Sequence, residues 1–403
     1  MSKLAILGGQ PVRTAKEPGW PRVRDADRQG LADVYLSGQW SKGKVTDLFE
    51  QRFSDRTGVR HSVLVSNGTA ALEMILRGLG IGYGDEVILP PYTFIATLSS
   101  VLFVGATPVF ADIDPETYNI AAKAAEQRIT GRTKAIIAVA VGGCPPDLDA
   151  LSALADKQGM HLIVDAAQAV GAKWDSKDIA GFGIAASFSC QNTKNLTCGE
   201  GGIITTNNSA LYDSIVSMQN GTDPNYYTDN QVTEFQSSLL TTQLDKLDEE
   251  IMLREQRASY LDDRLKHLPF VHQMRRDPKV TVHANHLYVM RLDKDILAEK
   301  GLTRDMFIEA VNHEGVALAD GYRPLYTFPC VTSARVEKMI GRKIDVSPHR
   351  HCERAANLEG AWLYQANLLG GKTDMDAIAA AFDKVWANAG PLVQCFEKRG
   401  VIE

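Results

Sequence analysis

The stretch KAIIAVAVGGCPPDLDALSALADKQGMHLIVDAAQ, residues 134–168, holds two short apolar runs, 134–141 and 161–167, around an amphipathic segment at 148–157. Runs that are apolar on both faces fit strands covered on both sides by helices, so the stretch reads as one β-α-β unit. The same alternation extends on either side. SVLVS (62–66) reads as a strand followed by a helix from 69 to about 79, and EVILP (86–90) as a strand followed by a helix at about 96–103. TPVFADI (107–113) and GGIITTN (201–207) add two more strands. This repetition predicts an α/β fold around a large, mainly parallel sheet.

From Thr233 the pattern changes to one long helical stretch, EFQSSLLTTQLDKLDEEIMLREQRASYLDDRLKHL, whose length suggests a connector between domains. The C-terminal remainder of the chain is smaller and mixed. HLYVMRL (286–292) is a strand candidate, and TRDMFIEAVNHEG and TDMDAIAAAFDKVWANA are helices with Thr or Asp near their starts as caps. The expected organisation is a large α/β domain over 26–245 and a smaller α+β domain over 246–403, with segment 1–25 joining the second. No internal repeat or low-complexity tract stands out.

A net charge of −6 and the absence of long Lys/Arg runs give no electrostatic footprint for nucleic acid or an anionic membrane surface. The opening MSKLAILGGQPVR is broken by Gly-Gly and Pro and lacks the apolar core of a signal peptide, so a cytoplasmic location is expected. The most apolar segment, 87–110, contains Pro90, Pro91, Gly105 and Pro108 and fails as a membrane span. Six cysteines lie far apart with no CxxC pair, which speaks against a zinc site or a disulfide framework.

In parallel α/β sheets chemistry gathers at the carboxyl ends of the strands. Three of those ends carry suggestive residues. Ser66-Asn67-Gly68-Thr69 turns from strand into helix, where backbone N–H groups and the helix dipole can hold a phosphate; a plain helix cap would look the same. Asp165 follows four residues that read as buried strand, so its carboxylate needs a cation or a proton donor unless it merely caps a helix. Lys194, in SFSCQNTKNLTCGEGG (187–202), sits among small residues that would also suit a surface loop. Held near a phosphate site and a carboxylate, that lysine acquires the lowered pKa needed to form a Schiff base with an aldehyde. Together the three supply what pyridoxal phosphate requires: an amine, a carboxylate for the ring nitrogen, and a phosphate pocket.

The motifs then become specific. SGQWSKGKVTDLFE, SNGTAALEMILRGLGIGYGDEVILPPYTFIAT, GATPVFADIDPETYNI, VDAAQAVGA, SFSCQNTKNLTCGEGGIITT and TEFQSSLLTTQL occur in an order that resembles the DegT/DnrJ/EryC1/StrS family of pyridoxal phosphate-dependent sugar aminotransferases. The resemblance implies the aspartate aminotransferase-like, fold type I architecture. SGQW, NLTCGEGG, YRPLY and EGAWLYQANLLG look most like the branch that aminates cyclitol or amino-shikimate type ketones. It makes Lys194 the Schiff-base lysine and proton shuttle, and Asp165 the partner of the pyridine nitrogen. Gly68, Thr69 and Ser189 match phosphate ligands, Phe94 the ring that stacks on the cofactor, and Gln168 the residue beside its ring and phenolic oxygen. Asn220 matches an asparagine that reaches the phosphate of a neighbouring subunit, which implies a homodimer with shared active sites. The implied reaction takes an amino group from glutamine or glutamate, through pyridoxamine phosphate, to a ketone of a sugar or cyclitol in amino-sugar or antibiotic biosynthesis.

Two departures bear on the acceptor: Val170 stands where the family often has His, and AVAVGGCPPDLDAL (138–151) lacks a histidine frequent at that strand end. The alternatives within the resemblance are a nucleotide-linked keto-sugar aminotransferase of surface-polysaccharide synthesis and a non-catalytic regulatory protein that keeps the fold. Outside it, GLGIGYG (78–84) imitates a dinucleotide fingerprint but follows a helix rather than a strand. His283, His286, His349 and His351 with Asp112 and Asp114 do not form a known metal-ligand spacing. Loops 221–230 and 321–329 are expected to contact the acceptor, and Glu200 has no assigned role.

Overall fold

The computed structural model describes residues 2–399. In chain order its first strands are β1 (His61–Val65), β2 (Glu86–Leu89), β3 (Thr107–Phe110), β4 (Thr133–Val139) and β5 (His161–Asp165). The short pair β6 (Lys173–Trp174) and β7 (Lys177–Asp178) precedes β8 (Ala185–Ser189) and β9 (Gly202–Thr206). Seven of these form one sheet in the order β1-β9-β8-β5-β4-β2-β3. The neighbouring pairs among β3, β2, β4, β5 and β8 run parallel, while β9 is antiparallel to both β1 and β8. This is the mainly parallel α/β sheet that the alternating runs predict.

Side-chain alternation divides the core between the two faces. Leu64, Ile88, Ile136, Ala138, Leu162 and Val164 pack on one side with Phe49, Phe53 and Leu148. Their sequence neighbours Val63, Val87, Ala135, Ile137 and Ile163 pack on the other with Leu72, Ile75 and Val101. Each fully buried Val, Leu or Ile contributes about 1.5–3 kcal/mol, which is why these strands carry apolar residues at consecutive positions.

The connecting helices are α1 (Asp25–Ser37), α2 (Lys44–Thr57), α3 (Gly68–Gly78), α4 (Ala96–Phe103), α5 (Ala122–Glu126), α6 (Leu148–Gln158) and α7 (Ser209–Asn220). The long helical stretch expected after Thr233 is two helices, α8 (Glu234–Leu244) and α9 (Leu247–Leu265). At the break Lys246 donates Nζ–H to the Arg22 carbonyl, 2.8 Å away, and pairs with Glu250 at 3.3 Å. Apolar periodicity carries no record of that pull toward a distant carbonyl.

The remaining strands are β10 (Val271–Gln273), β11 (Val280–Val282), β12 (Leu287–Leu292), β13 (Leu318–Ala319) and β14 (Gly360–Tyr364). β10-β12-β14-β13 make a second, antiparallel sheet, and β11 joins the β6–β7 pair. Leu4 is buried in the core of that second sheet, and Arg13 donates to Asn367 at 3.1 Å and to Asp374 at 3.1 Å. Thr303 accepts from the Met306 amide at the start of the helix Arg304–His313, as its sequence position predicts. Among the described residues no helix is long and apolar enough to cross a membrane.

Candidate active site

Strand register brings the candidate residues to one end of the large sheet. Gly202 on β9 lies opposite Val65 on one side and Ser189 on the other, so the turn leaving β1 passes beside Ser189. Asp165, last residue of β5, pairs with Ser187 of β8 and Val139 of β4. The turn and β9 touch closely. A Cβ on Gly202 would lie 2.5 Å from the Asn67 carbonyl carbon, and one on Gly68 would meet the Ser189 Cβ at 3.0 Å. At Gly202 only a glycine permits this approach.

The turn opens α3. Asn67 caps it by accepting the Ala70 amide at 2.8 Å, and its carbonyl takes the Ala71 amide at 3.0 Å. Among the described residues the Gly68 and Thr69 amides have no acceptor. These are the orphan N–H groups of a helix start, beside the Ser189 side chain, in the arrangement that binds a phosphate dianion.

Asp165 is 4% exposed. Its Oδ2 accepts from the Thr97 hydroxyl at 2.8 Å and its Oδ1 from the Ala167 amide at 3.2 Å. Burial raises its pKa, and those two donors and the charge of Lys194 only partly oppose the rise. Lys194 is half-buried in the turn after β8, with its amide bonded to the Gln191 carbonyl at 2.8 Å. Burial lowers its ammonium to about 8, with Asp165 pulling the other way. Among the described residues Asp165 has no ion pair within salt-bridge distance, yet its charge and that of Lys194 act on each other.

Phe94 precedes α4 by two residues and is 58% exposed, an apolar ring left facing outward three residues before Thr97. Gln168 is buried; its Oε1 accepts the Gly142 amide at 2.7 Å and its Nε2 donates to the Tyr322 hydroxyl at 2.6 Å. Asn220 ends α7, exposed, and its side chain forms no hydrogen bond among the described residues. Its neighbour Gln219 ties that helix end to the site by donating to the Leu64 carbonyl at 3.0 Å and the Asn230 carbonyl at 2.8 Å.

Several side chains at the site carried no signal in the sequence. Thr97 is one of many hydroxyl residues in a helix. Asn195, next to Lys194, donates to the Ala284 carbonyl at 2.7 Å and meets His286 Nδ1 at 3.2 Å. Burial, then the charges of Lys194 and Arg254, hold the His286 ring well below its ordinary pKa, so it is neutral. Trp20 donates Nε1–H to the Asn192 carbonyl at 2.9 Å, with the Arg254 guanidinium 5.2 Å from its ring centre. The adjacency of Asn195 to Lys194 was the one available clue.

The rival motifs find structural roles. Gly78–Gly84 joins α3 to β2 at the opposite end of the strands from Asp165. Asp112 accepts the His351 and Cys352 amides at 3.0 Å each, and Asp114 accepts the Glu116 amide at 2.8 Å and pairs with Arg275 at 3.2 Å. The six cysteines are free. The Glu200 carbonyl accepts from Gln236 at 2.6 Å, and its side chain is exposed.

The residues present fit a phosphorylated pyridine aldehyde. The Gly68–Ser189 cradle offers unbonded amides to a phosphate, Asp165 retains acceptor capacity for a ring N–H, and Phe94 presents an open face.

The sequence profile of the DegT/DnrJ/EryC1/StrS aminotransferase family matches residues 21–347. The L-glutamine:2-deoxy-scyllo-inosose aminotransferase of Streptomyces kanamyceticus is 34% identical, with 95% of this chain and 97% of that protein covered. The enzyme of the same activity from Micromonospora echinospora is 32% identical, covering 96% and 99%. The crystal structure of 3-amino-5-hydroxybenzoic acid synthase superposes with a TM-score of 0.83 at 28% identity, over 93% of this chain and 100% of the other. An aminotransferase from Psychrobacter cryohalolentis gives 0.84 at 27% identity, over 93% and 99%.

Proposed function

The chain belongs to the DegT/DnrJ/EryC1/StrS aminotransferase family, and from that premise we propose that it moves an amino group from L-glutamine to the ketone of a deoxy-inosose type cyclitol. The observation that carries the reading is the gathering of Lys194, Asp165, Gly68 and Ser189 at one end of the sheet. The donor and acceptor are those of the relatives from S. kanamyceticus and M. echinospora, whose length this chain spans almost completely.

When bound, pyridoxal 5′-phosphate supplies an aldehyde to carry the amino group and a ring that withdraws electrons from the reacting carbon. The Gly68 and Thr69 amides and Ser189 would hold its phosphate, and Phe94 would offer an apolar face to its ring. Asp165 keeps a proton on the ring nitrogen, a task suited to a carboxylate shielded from water. Gln168 would lie beside the ring, held by the Gly142 amide on its Oε1 and by the Tyr322 hydroxyl that its Nε2 donates to. Lys194, with a pKa of about 8, would take the proton from the donor's Cα and deliver it to the carbon that carried the cofactor's aldehyde. We further propose that Asn220, unpartnered within its own chain among the described residues, completes the phosphate site of a second copy in a homodimer.

The test is a pair of half-reactions on the cofactor-loaded enzyme. Glutamine should convert it to the pyridoxamine form, seen as loss of the yellow absorbance, and 2-deoxy-scyllo-inosose should restore the colour. Restoration only by nucleotide-linked keto-sugars would replace the proposed acceptor. Lys194→Ala should lose amino transfer by at least about a thousandfold; near-normal turnover in that variant would remove the site assignment.

A further inference from the structure

The Gln168–Tyr322 hydrogen bond has a fixed direction. An amide can be turned either way around, but Gln168 Oε1 lies 2.7 Å from the Gly142 backbone nitrogen, which can only donate. Nε2 therefore faces Tyr322, 2.6 Å away, and since it can only donate, the tyrosine oxygen must accept. The hydroxyl proton of Tyr322 is left over. Among the described residues no oxygen or nitrogen receives it, although Tyr226, Tyr260, Tyr288 and Tyr326 each give theirs to a carboxylate.

This donor is held in place and lies near the reacting groups. The Tyr322 ring meets Tyr92 edge-on at 5.6 Å and Trp362 at 4.8 Å, while its loop is tied to the exit of β2 by the Leu325 amide on the Pro91 carbonyl at 2.9 Å. Tyr322 also feels the charge of Asp165, and burial pushes its hydroxyl well above the ordinary phenol range. The proton therefore stays on the oxygen at every working pH. The residue as a whole is only partly buried.

We infer that the Tyr322 hydroxyl is a binding and specificity residue for the amino acceptor, donating a hydrogen bond to a hydroxyl or carbonyl oxygen of a polyhydroxylated ring. The inference rests on the proposed function and adds to it a residue from the part of the chain beyond α9. A polyol is a chemically suitable ligand because every ring oxygen accepts, and a site built to donate to one of them discriminates against an analogue lacking it.

The test is Tyr322→Phe in the cofactor-loaded enzyme, a change that removes one oxygen and keeps the packed ring. Calorimetric binding of the aminocyclitol product should weaken about tenfold, the cost of one neutral hydrogen bond in a desolvated site. The glutamine half-reaction should stay within about twofold of wild type. With deoxy analogues, the penalty should disappear for the one that lacks the bound oxygen. Equal product affinity in both proteins would overturn the inference, as would an equal loss in the glutamine half-reaction, which would assign the hydroxyl to holding Gln168. If wild type binds no aminocyclitol at all, the functional reading fails first, a result separable from equal binding by both proteins.

Discussion

Asp165 and Glu234 are buried to almost the same degree, 4% and 2% exposed, at the end of β5 and the start of α8. Glu234 accepts from the Gly43, Val45 and Thr46 amides at 3.0, 2.8 and 2.9 Å and from the Thr46 hydroxyl at 2.7 Å. It closes the N-terminus of α2 from almost two hundred residues away in the chain, and its lone pairs are filled. Among the described residues Asp165 has only the Thr97 hydroxyl and the Ala167 amide, and its pKa is raised. Both acids are buried, but only Asp165 keeps acceptor capacity beside a lysine. Unused capacity next to a pKa-depressed lysine marks the acid as functional, while burial alone does not.

Exchanging the fates of these two acids gives the sharpest contrast. Asp165→Asn should lower amino transfer by about a thousandfold, because an amide cannot keep a ring nitrogen protonated, while the unfolding temperature stays close to wild type. Glu234→Ala should do the reverse. It leaves three amides of a helix start unpaired, costs about 3 kcal/mol of stability, and keeps turnover per folded molecule within about twofold at low temperature. Thermal unfolding and turnover measured on both proteins check this. A Glu234→Ala enzyme as inactive per folded molecule as Asp165→Asn would break the distinction.

The contrast also has an electrostatic form, carried by Lys194. In the cofactor-free protein its amine should titrate near 8, read by NMR after reductive methylation with labelled formaldehyde, against about 10.4 for surface lysines. In Asp165→Asn the value should fall further, because the carboxylate is the influence that raises it. The linkage has a definite sign. Between about 8 and 10.5 the unfolded chain holds a proton that the folded chain has released, so the cofactor-free protein gains stability as pH rises through that window. Below about 8 the cost of burying the ammonium is present in full. Lys194→Met should remove this rise, and a wild-type amine titrating like a surface lysine would refute the buried setting.

The sequence reveals the parts of this arrangement whose signals are local. β4 and β5 are apolar at successive positions because both faces are covered, and the turn after β1 needs glycine where the chain meets β9, so both are legible from composition and order. β8 is not. Its residues Ala185–Ser189 read AASFS, where one phenylalanine among Ala and Ser gives too little apolar signal to mark a strand. Asp165 and Lys194 stood out by residue type, yet nothing near Thr97 or Tyr322 in the sequence says which strand end each will approach. Glu234 sits in the first turn of α8, and its task at α2 appears only when the two helices are packed together.

Thr97 offers the finest division between a filled acid and a functional one, because its hydroxyl is the strongest influence holding the Asp165 pKa down. Replacing that oxygen by a methyl group in Thr97→Val leaves shape and burial nearly unchanged and withdraws one donor from an already under-supplied carboxylate. The Asp165 pKa should climb further. Since the acid works ionised, activity that disappears as pH falls should begin to disappear at a higher pH in the variant, with about a tenfold loss of kcat on the acid side and recovery toward wild type in alkali. Thr97→Ser, which keeps the donor, should restore the original profile. A uniform loss at every pH would make Thr97 a packing residue, whereas a displaced acid limb rescued by serine would show that its hydroxyl sets the charge state of Asp165.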